Sequence, residues 1–286
     1  MVLVTGASGS TGGELVKCLS AKSVPVRAMV RRQPVRACEA SSGVEYVTAD
    51  FEDPASLRRA LDGIERAFLV TNSSERTEAQ QLGFLKAART AGLRHIVYLS
   101  QLHASKNSVV RFLRYHAVVE EAICSSRIAF THLRPNLFMQ GFLAFRPSIE
   151  SKGSFFAPAG RAEISIVDVR DIAAVATAAL TESGHEGKIY DITGPEALTH
   201  TDIAAQLSDA LDKQVTFVDI PESAMREALL AHGFPEWQAD GLIEDYAHYR
   251  RGEASSVSNA VVDVTGRPAH SFLTFARDYK EAFLEV

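Results

Sequence analysis

The stretch Thr5-Gly6-Ala7-Ser8-Gly9-Ser10-Thr11-Gly12-Gly13 constrains this chain more than any other. It follows an apolar run at residues 2–5 and opens an amphipathic run at residues 12–20. Gly6, Gly9 and Gly12 stand three apart. Between a strand and a helix, such glycines turn the chain sharply, expose bare backbone to a pyrophosphate, and let the helix pack close to the strand. The unpaired N–H groups at the helix start then offer partial positive charge to the phosphates. A glycine trio alone is weak evidence. Its place after the first strand and before the first helix gives it meaning. Two rival motifs fail on residues: a Walker A loop needs a Lys after its last glycine, and a GxSxG nucleophile elbow needs glycine where Ser10 stands.

The residues that follow repeat this alternation. Runs at 26–30, 44–48, 67–70, 95–100 and 129–133 are rich in β-branched and aromatic residues. Between them lie helical patterns at 53–61, 75–91 and 109–125, with Pro54 at a helix start and Gly92 just past a helix end. Strands joined by helices imply parallel βαβ units, and their continuous apolar character fits strands buried on both faces. The fold class is therefore α/β, a doubly wound parallel sheet of Rossmann type with a smaller, mainly helical C-terminal part.

Beyond residue 160 the reading expects a short strand at 164–167, a helix at 169–180 and a strand at 188–193. It then expects helices at 199–211, 222–231, 236–249 and 271–283 around a strand at 215–220. Thr199 and Asp202 form a short-acid capping box. The dinucleotide core is expected over residues 1–195 and the substrate-cleft part over 196–286, with a soft boundary that the chain can cross.

Thirty basic and 35 acidic residues give a net charge of −5, which excludes a generally basic nucleic-acid binder. Cys18, Cys38 and Cys124 form no CxxC pair and read as reduced thiols. The nine histidines show no HxxxH or HExxH spacing, so no metal site is expected. The longest near-apolar run, 172–180, is far shorter than a membrane span of roughly 20 residues. With no signal-type N-terminus, the expected location is the cytoplasm. The expected partner is a small-molecule substrate, with neither nucleic acid nor membrane, and the expected assembly is a monomer or homodimer.

The end of the second strand chooses between cofactors. An NAD-preferring fold places an acid there for the ribose 2′-OH. This chain reads Val30-Arg31-Arg32, and a guanidinium suits a 2′-phosphate, so NADP(H) is preferred over NAD(H). Asp50, at the end of the third strand, can bond the adenine amino group or cap the next helix.

Several stretches taken together resemble the NmrA-like atypical short-chain dehydrogenases/reductases. They are the glycine turn, the Val30-Arg31-Arg32 strand end, the run at 49–57, residues 133–142, residues 166–180, residues 190–199 and Val264-Thr265-Gly266-Arg267-Pro268. Within that family the similarity is greatest to the bacterial triphenylmethane-dye, azo-dye and quinone reductases. The resemblance implies phosphate contacts from Gly6, Ser8, Gly9, Ser10, Thr11 and Gly12, and 2′-phosphate recognition by Arg31 and Arg32. It implies Asp50 and Phe51 near adenine, Thr71, Asn72 and Ser100 along the ribose, and Pro135, Asn136, Leu137 and Phe138 near the nicotinamide.

One departure shapes the chemistry. The wider superfamily uses a Tyr-x-x-x-Lys pair, whereas here Tyr115 is followed four residues later by Val119. His116 and Glu120 hold the matching i, i+4 positions, where a His–Glu contact is geometrically allowed. His116, with an ordinary pKa near neutrality, and Tyr115 are the candidates for proton transfer. Phe138, Met139, Phe142 and Phe145 either line an aromatic pocket or belong to the core, and Tyr246 and Tyr249 read as packing residues, with contact to substrate or a second subunit as the alternative. The functional reading is NADPH-dependent hydride transfer to a conjugated or aromatic acceptor of quinone, dye or imine type. A second reading, favoured by the missing dyad, is an NADP(H)-binding redox sensor without turnover. A nucleotide-sugar isomerase or epimerase is the third.

Overall fold

The computed structural model describes residues 1–32 and 43–284; Cys38 lies outside the described residues. The chain divides into two compact units. The first comprises Met1–Asn107, Leu113–Arg134 and Ile172–Tyr190, and the second comprises Ser108–Phe112, Pro135–Asp171 and Asp191–Val286.

The first unit is built on a central sheet. Its strands are β1 (Val2–Val4), β2 (Val26–Val30), β3 (Val44–Thr48), β4 (Arg66–Leu69), β5 (His95–Leu99), β6 (Ala129–Pro135) and β8 (Lys188–Ile192). Their order is β3-β2-β1-β4-β5-β6-β8. The pairings from β3 through β6 are all parallel, with Val2 opposite both Val26 and Arg66. The connecting helices are α1 (Ser10–Ala21), α2 (Pro54–Leu61), α3 (Thr77–Thr90) and α4 (Arg111–Ser125), with α6 (Val169–Thr181) preceding β8. Chain order reverses at β1, whose neighbours are β2 and β4, so the strand ends of β1 and β4 flank a topological switch point, where open α/β sheets bind ligands.

Burial explains the sheet. All three residues of β1 and all five of β5 are buried, as expected of strands covered by helices on both faces. Leu57, Leu61, Phe84, Leu85, Val119 and Ile123 from α2, α3 and α4 pack on Leu3, Leu69, Ile96 and Tyr98. At the start of α2, Pro54 fills the first turn and the Asp53 carboxylate accepts from Ala55 N–H at 2.9 Å.

The second unit contains β7 (Ser154–Ala157) and β9 (Thr216–Asp219), which pair in parallel. Its helices are α5 (Arg146–Lys152), α7 (His200–Leu211), α8 (Glu222–Ala231), α9 (Glu236–Arg250), α10 (Ala260–Thr265), α11 (Phe272–Asp278) and α12 (Lys280–Leu284). A 3₁₀ segment, Met139–Phe145, leads into α5. Met139 and Phe142 are core residues: the Phe142 ring lies 5.4–5.7 Å from the rings of Phe155, Phe272 and His200. Tyr246 and Tyr249 are buried in the same cluster.

Two expectations need correction. The strand expected at 164–167 is only a pair of isolated bridges, because the chain changes partner within it: Ile164 pairs with Leu198 and Val167 with Phe138. The C-terminal helix expected over 271–283 is broken at Tyr279, where φ −103° and ψ 16° leave the helical region.

Candidate functional site

The glycine turn closes tightly around itself. Gly6 has φ +59°, and a Cβ there would meet Val70 Cγ1 at 2.7 Å. A Cβ on Gly12 would lie 2.2 Å from the Gly6 carbonyl oxygen, so only a bare α-carbon lets α1 start this close to the turn. Thr5, fully buried, clamps the end of β1 to the chain beyond β4: its hydroxyl lies 2.8 Å from Val70 O and accepts from Val70 N–H at 2.8 Å. Thr11 and Gly12 are buried, whereas Ser8, Gly9 and Ser10 are exposed. The N-cap of α1 is Gly9, with no capping side chain, and its first turn carries no acid. Its leading N–H groups are thus left for an anion.

Arg31 and Arg32 sit exposed at the end of β2, and neither pairs with another described residue. Asp50 turns out not to be the cap of α2. Its carboxylate accepts from Glu52 N–H at 2.9 Å and shapes the loop, while Asp53 does the capping. Phe51 is half-buried, its ring 6.0 Å from that of Phe84. Beyond β4, Thr71 Oγ1 accepts from Gln81 Nε2 at 2.9 Å, and the Asn72 carbonyl accepts from Thr77 Oγ1 at 2.7 Å. Ser100 follows β5; its hydroxyl is buried and has no partner among the described residues, and the same is true of Ser73 Oγ. Buried hydroxyls are normally hydrogen-bonded, so these two orphans near the strand ends fit a polar ligand. The backbone cradle and the orphaned hydroxyls together suit a dinucleotide.

Pro135, Asn136, Leu137 and Phe138 open the second unit's long segment. Asn136 is fully engaged there: its amide donates to Ser165 Oγ and to Ala254 O, each at 2.9 Å, and its Oδ1 accepts from Leu137 N–H at 2.8 Å. Its side chain therefore acts by holding the strand end to the segment around Ala254.

The His116–Glu120 contact that the spacing allows is not made. Glu120 accepts a bidentate pair from Arg134, Nε to Oε1 at 2.8 Å and Nη2 to Oε2 at 2.5 Å. His116 bonds Tyr98 instead, Nδ1 to the phenol oxygen at 2.7 Å, and its ring lies 4.2 Å from that of Tyr115. Burial lowers the His116 pKa to about 3, so at neutral pH the imidazole is uncharged rather than poised near neutrality. Tyr98 donates in turn to Gln81 Oε1 at 2.8 Å. Sequence reading missed Thr5, Ser73, Gln81 and Tyr98. Only Gln81 left a signal, as a polar residue on the apolar stripe of α3 with Phe84, Leu85 and Ala88.

Among the described residues no group of three His, Cys, Asp or Glu side chains could hold a metal, and no helix is long and apolar enough to cross a membrane.

The chain is 39% identical over 284 residues to a (4-alkanoyl-5-oxo-2,5-dihydrofuran-3-yl)methyl phosphate reductase of Streptomyces griseus, and 36% identical over 284 residues to an NAD(P)H azoreductase of Xenophilus azovorans. Each alignment covers 99% of both chains. The structure superposes with TM-score 0.87 and 30% identity on an NADPH-dependent quinone oxidoreductase of Escherichia coli solved with NADPH, covering 97% of this chain and 99% of the other. The model of the NmrA-like family matches residues 1–265. The chain belongs to the NmrA-like family.

Proposed function

We propose that this protein is an NADPH-dependent reductase that transfers hydride to a small conjugated acceptor such as a quinone, an azo or triphenylmethane dye, or an unsaturated lactone. The observation that carries this reading is the Gly6–Gly12 cradle, where backbone stands where side chains cannot, in a chain alike end to end to reductases. Bound there, a nicotinamide dinucleotide supplies the hydride. The backbone N–H groups at the start of α1 hold the pyrophosphate, and Ser73 and Ser100 offer hydroxyls to the ribose side. Arg31 and Arg32 recognise the 2′-phosphate and set the preference for NADPH over NADH. Pro135, Leu137 and Phe138 shape the nicotinamide end. His116, uncharged, and Tyr115, with no lysine four residues on, give no strong acid. Acceptors that need little proton assistance at the moment of hydride transfer suit such a site, and water protonates the product. The protein acts in the cytoplasm, as a monomer or homodimer.

The test is NADPH oxidation followed optically with a panel of quinones, azo dyes, triphenylmethane dyes and unsaturated lactones. Turnover with at least one class is expected. Tight NADPH binding with no turnover on any acceptor would replace the reductase by a redox sensor.

A further inference from the structure

Four side chains of the first unit form a single hydrogen-bonded line, buried at His116, Tyr98 and Gln81 and half-buried at Thr71. His116 Nδ1 meets Tyr98 Oη at 2.7 Å, Tyr98 donates to Gln81 Oε1 at 2.8 Å, and Gln81 Nε2 donates to Thr71 Oγ1 at 2.9 Å. Gln81, Tyr98 and His116 are 2%, 0% and 8% exposed. A phenol has one proton. Because Tyr98 gives its proton to Gln81, the His116–Tyr98 bond needs a proton on His116 Nδ1, and His116 is then the Nδ1–H tautomer with a lone pair at Nε2. At the other end, Thr71 accepts from Gln81 and donates to no described residue, so its proton is left for a ligand. Every bond in the line points the same way. Turning the Gln81 amide over would reverse all of them: Thr71 would donate inward, Tyr98 would donate to His116, and the imidazole proton would move to Nε2. One amide thus sets donor and acceptor character at both ends.

We propose that Gln81 and Tyr98 are positioning residues of the dinucleotide site, fixing Thr71 as an outward hydrogen-bond donor to the bound dinucleotide and His116 as the Nδ1–H tautomer. Thr71 stands next to Val70, the residue that Thr5 clamps and against which the Gly6 turn closes. Thr71, which is half-buried, is therefore adjacent in the chain to the residue that closes the cradle. With the relay in place, His116 Nε2 accepts a hydrogen bond and does not give one.

The proposal rests on dinucleotide binding at the cradle, and the experiment separates the two. Protein labelled with 15N-histidine is compared by long-range 1H–15N correlation at neutral pH with the Tyr98→Phe and Gln81→Met variants, and the NADPH Kd is measured for each. Wild-type His116 is expected as the Nδ1–H tautomer. In Tyr98→Phe, which is close to isosteric, Gln81 Oε1 loses the donor that orients its amide, so the tautomer is expected to shift toward Nε2–H and the Kd to rise, by less than in Gln81→Met. In Gln81→Met, the tautomer is expected to invert, because Tyr98 can then donate to His116, and the Kd is expected to rise about fivefold, as for one neutral hydrogen bond. A purely structural role would lower thermal stability without moving the tautomer. Wild-type His116 protonated at Nε2, or an unchanged tautomer in both variants, would overturn the proposal. Should wild type bind neither NADPH nor NADH, the dinucleotide reading fails, whatever the tautomer spectra show.

Discussion

A methyl group at Gly12 has nowhere to go, since it would fall 2.2 Å from a backbone oxygen that no rotamer can move. Gly12→Ala must therefore push the start of α1 away from the turn and misalign its N–H groups. Isothermal titration is expected to show at least about a tenfold loss of NADPH affinity, equivalent to about 1.4 kcal/mol. Arg31 makes a different prediction, because it is exposed and pairs with no described residue. Arg31→Ala is expected to weaken NADPH about tenfold, the scale of one charge-assisted hydrogen bond, and to leave NADH nearly unchanged. Equal losses for both cofactors would remove the 2′-phosphate assignment. Gly12 was legible in the sequence because backbone geometry demands glycine there. The relay through Gln81 and Tyr98 was not legible. Its members lie just beyond β4 and on α3, β5 and α4, and nothing local in the sequence marks them as neighbours in space. His116 was found as a residue, but its uncharged state follows from burial, which the i, i+4 spacing to Glu120 does not reveal.

Helix starts show how the same problem is answered in opposite ways. α7 is closed by its own residues: Thr199 Oγ1 accepts from Asp202 N–H at 3.1 Å and Asp202 Oδ2 accepts from Thr199 N–H at 2.9 Å. α11 is capped by Ser271, which accepts from Thr274 N–H at 3.1 Å. α1 begins at Gly9 with no such cap. The capped helices need nothing further, whereas α1 leaves its donors for a ligand. Thr199→Ala is expected to cost about 1 kcal/mol and lower Tm by about 2–4 °C in a calorimeter, without affecting NADPH binding. At this scale the first half of the chain was readable because each strand and helix carries its own period and its own stop signal. The second unit was less so. Residues 164–167 have strand composition, but Ile164, Ser165 and Val167 bond to Leu198, Ala254 and Leu137 in turn, and a strand needs one continuous partner. β7 was missed because four residues, Ser-Phe-Phe-Ala, are too few to show alternation, and its partner β9 lies about 60 residues away in sequence.

At the scale of the whole molecule, four of the buried histidines among the described residues are held uncharged by desolvation. His116 is lowered to about 3, and His95, His132 and His200 to about 4, from an ordinary 6.5. Each takes up its proton on unfolding at any pH between those values. Stability is therefore full above about 6.5 and falls as pH drops toward 4, because the unfolded chain binds more protons throughout that window. Asp171, whose carboxyl is raised by burial, works in the opposite direction but is a single group. At pH 5 each histidine contributes a loss of about 2 kcal/mol, and four together approach the whole stability of an ordinary domain. Urea unfolding followed by circular dichroism is thus expected to show a steep loss between pH 6.5 and pH 5, before most carboxylates titrate. His200 gives the cleanest test. It is fully buried, lies 5.1–6.0 Å from the rings of Phe217, Phe142 and Phe155, and has an Nδ1 with no partner among the described residues. Desolvation there outweighs the attraction of Asp219. His200→Phe removes the 3.5 Å contact of Nε2 with the buried Tyr246 hydroxyl, so it is expected to cost about 1 kcal/mol at pH 7.5, where neither state is charged, and to be about 2 kcal/mol more favourable relative to wild type at pH 5 than at pH 7.5. If its pH dependence matched that of wild type, acid lability would have to come from carboxylates, and the buried imidazoles would not be what confines this fold to neutral pH.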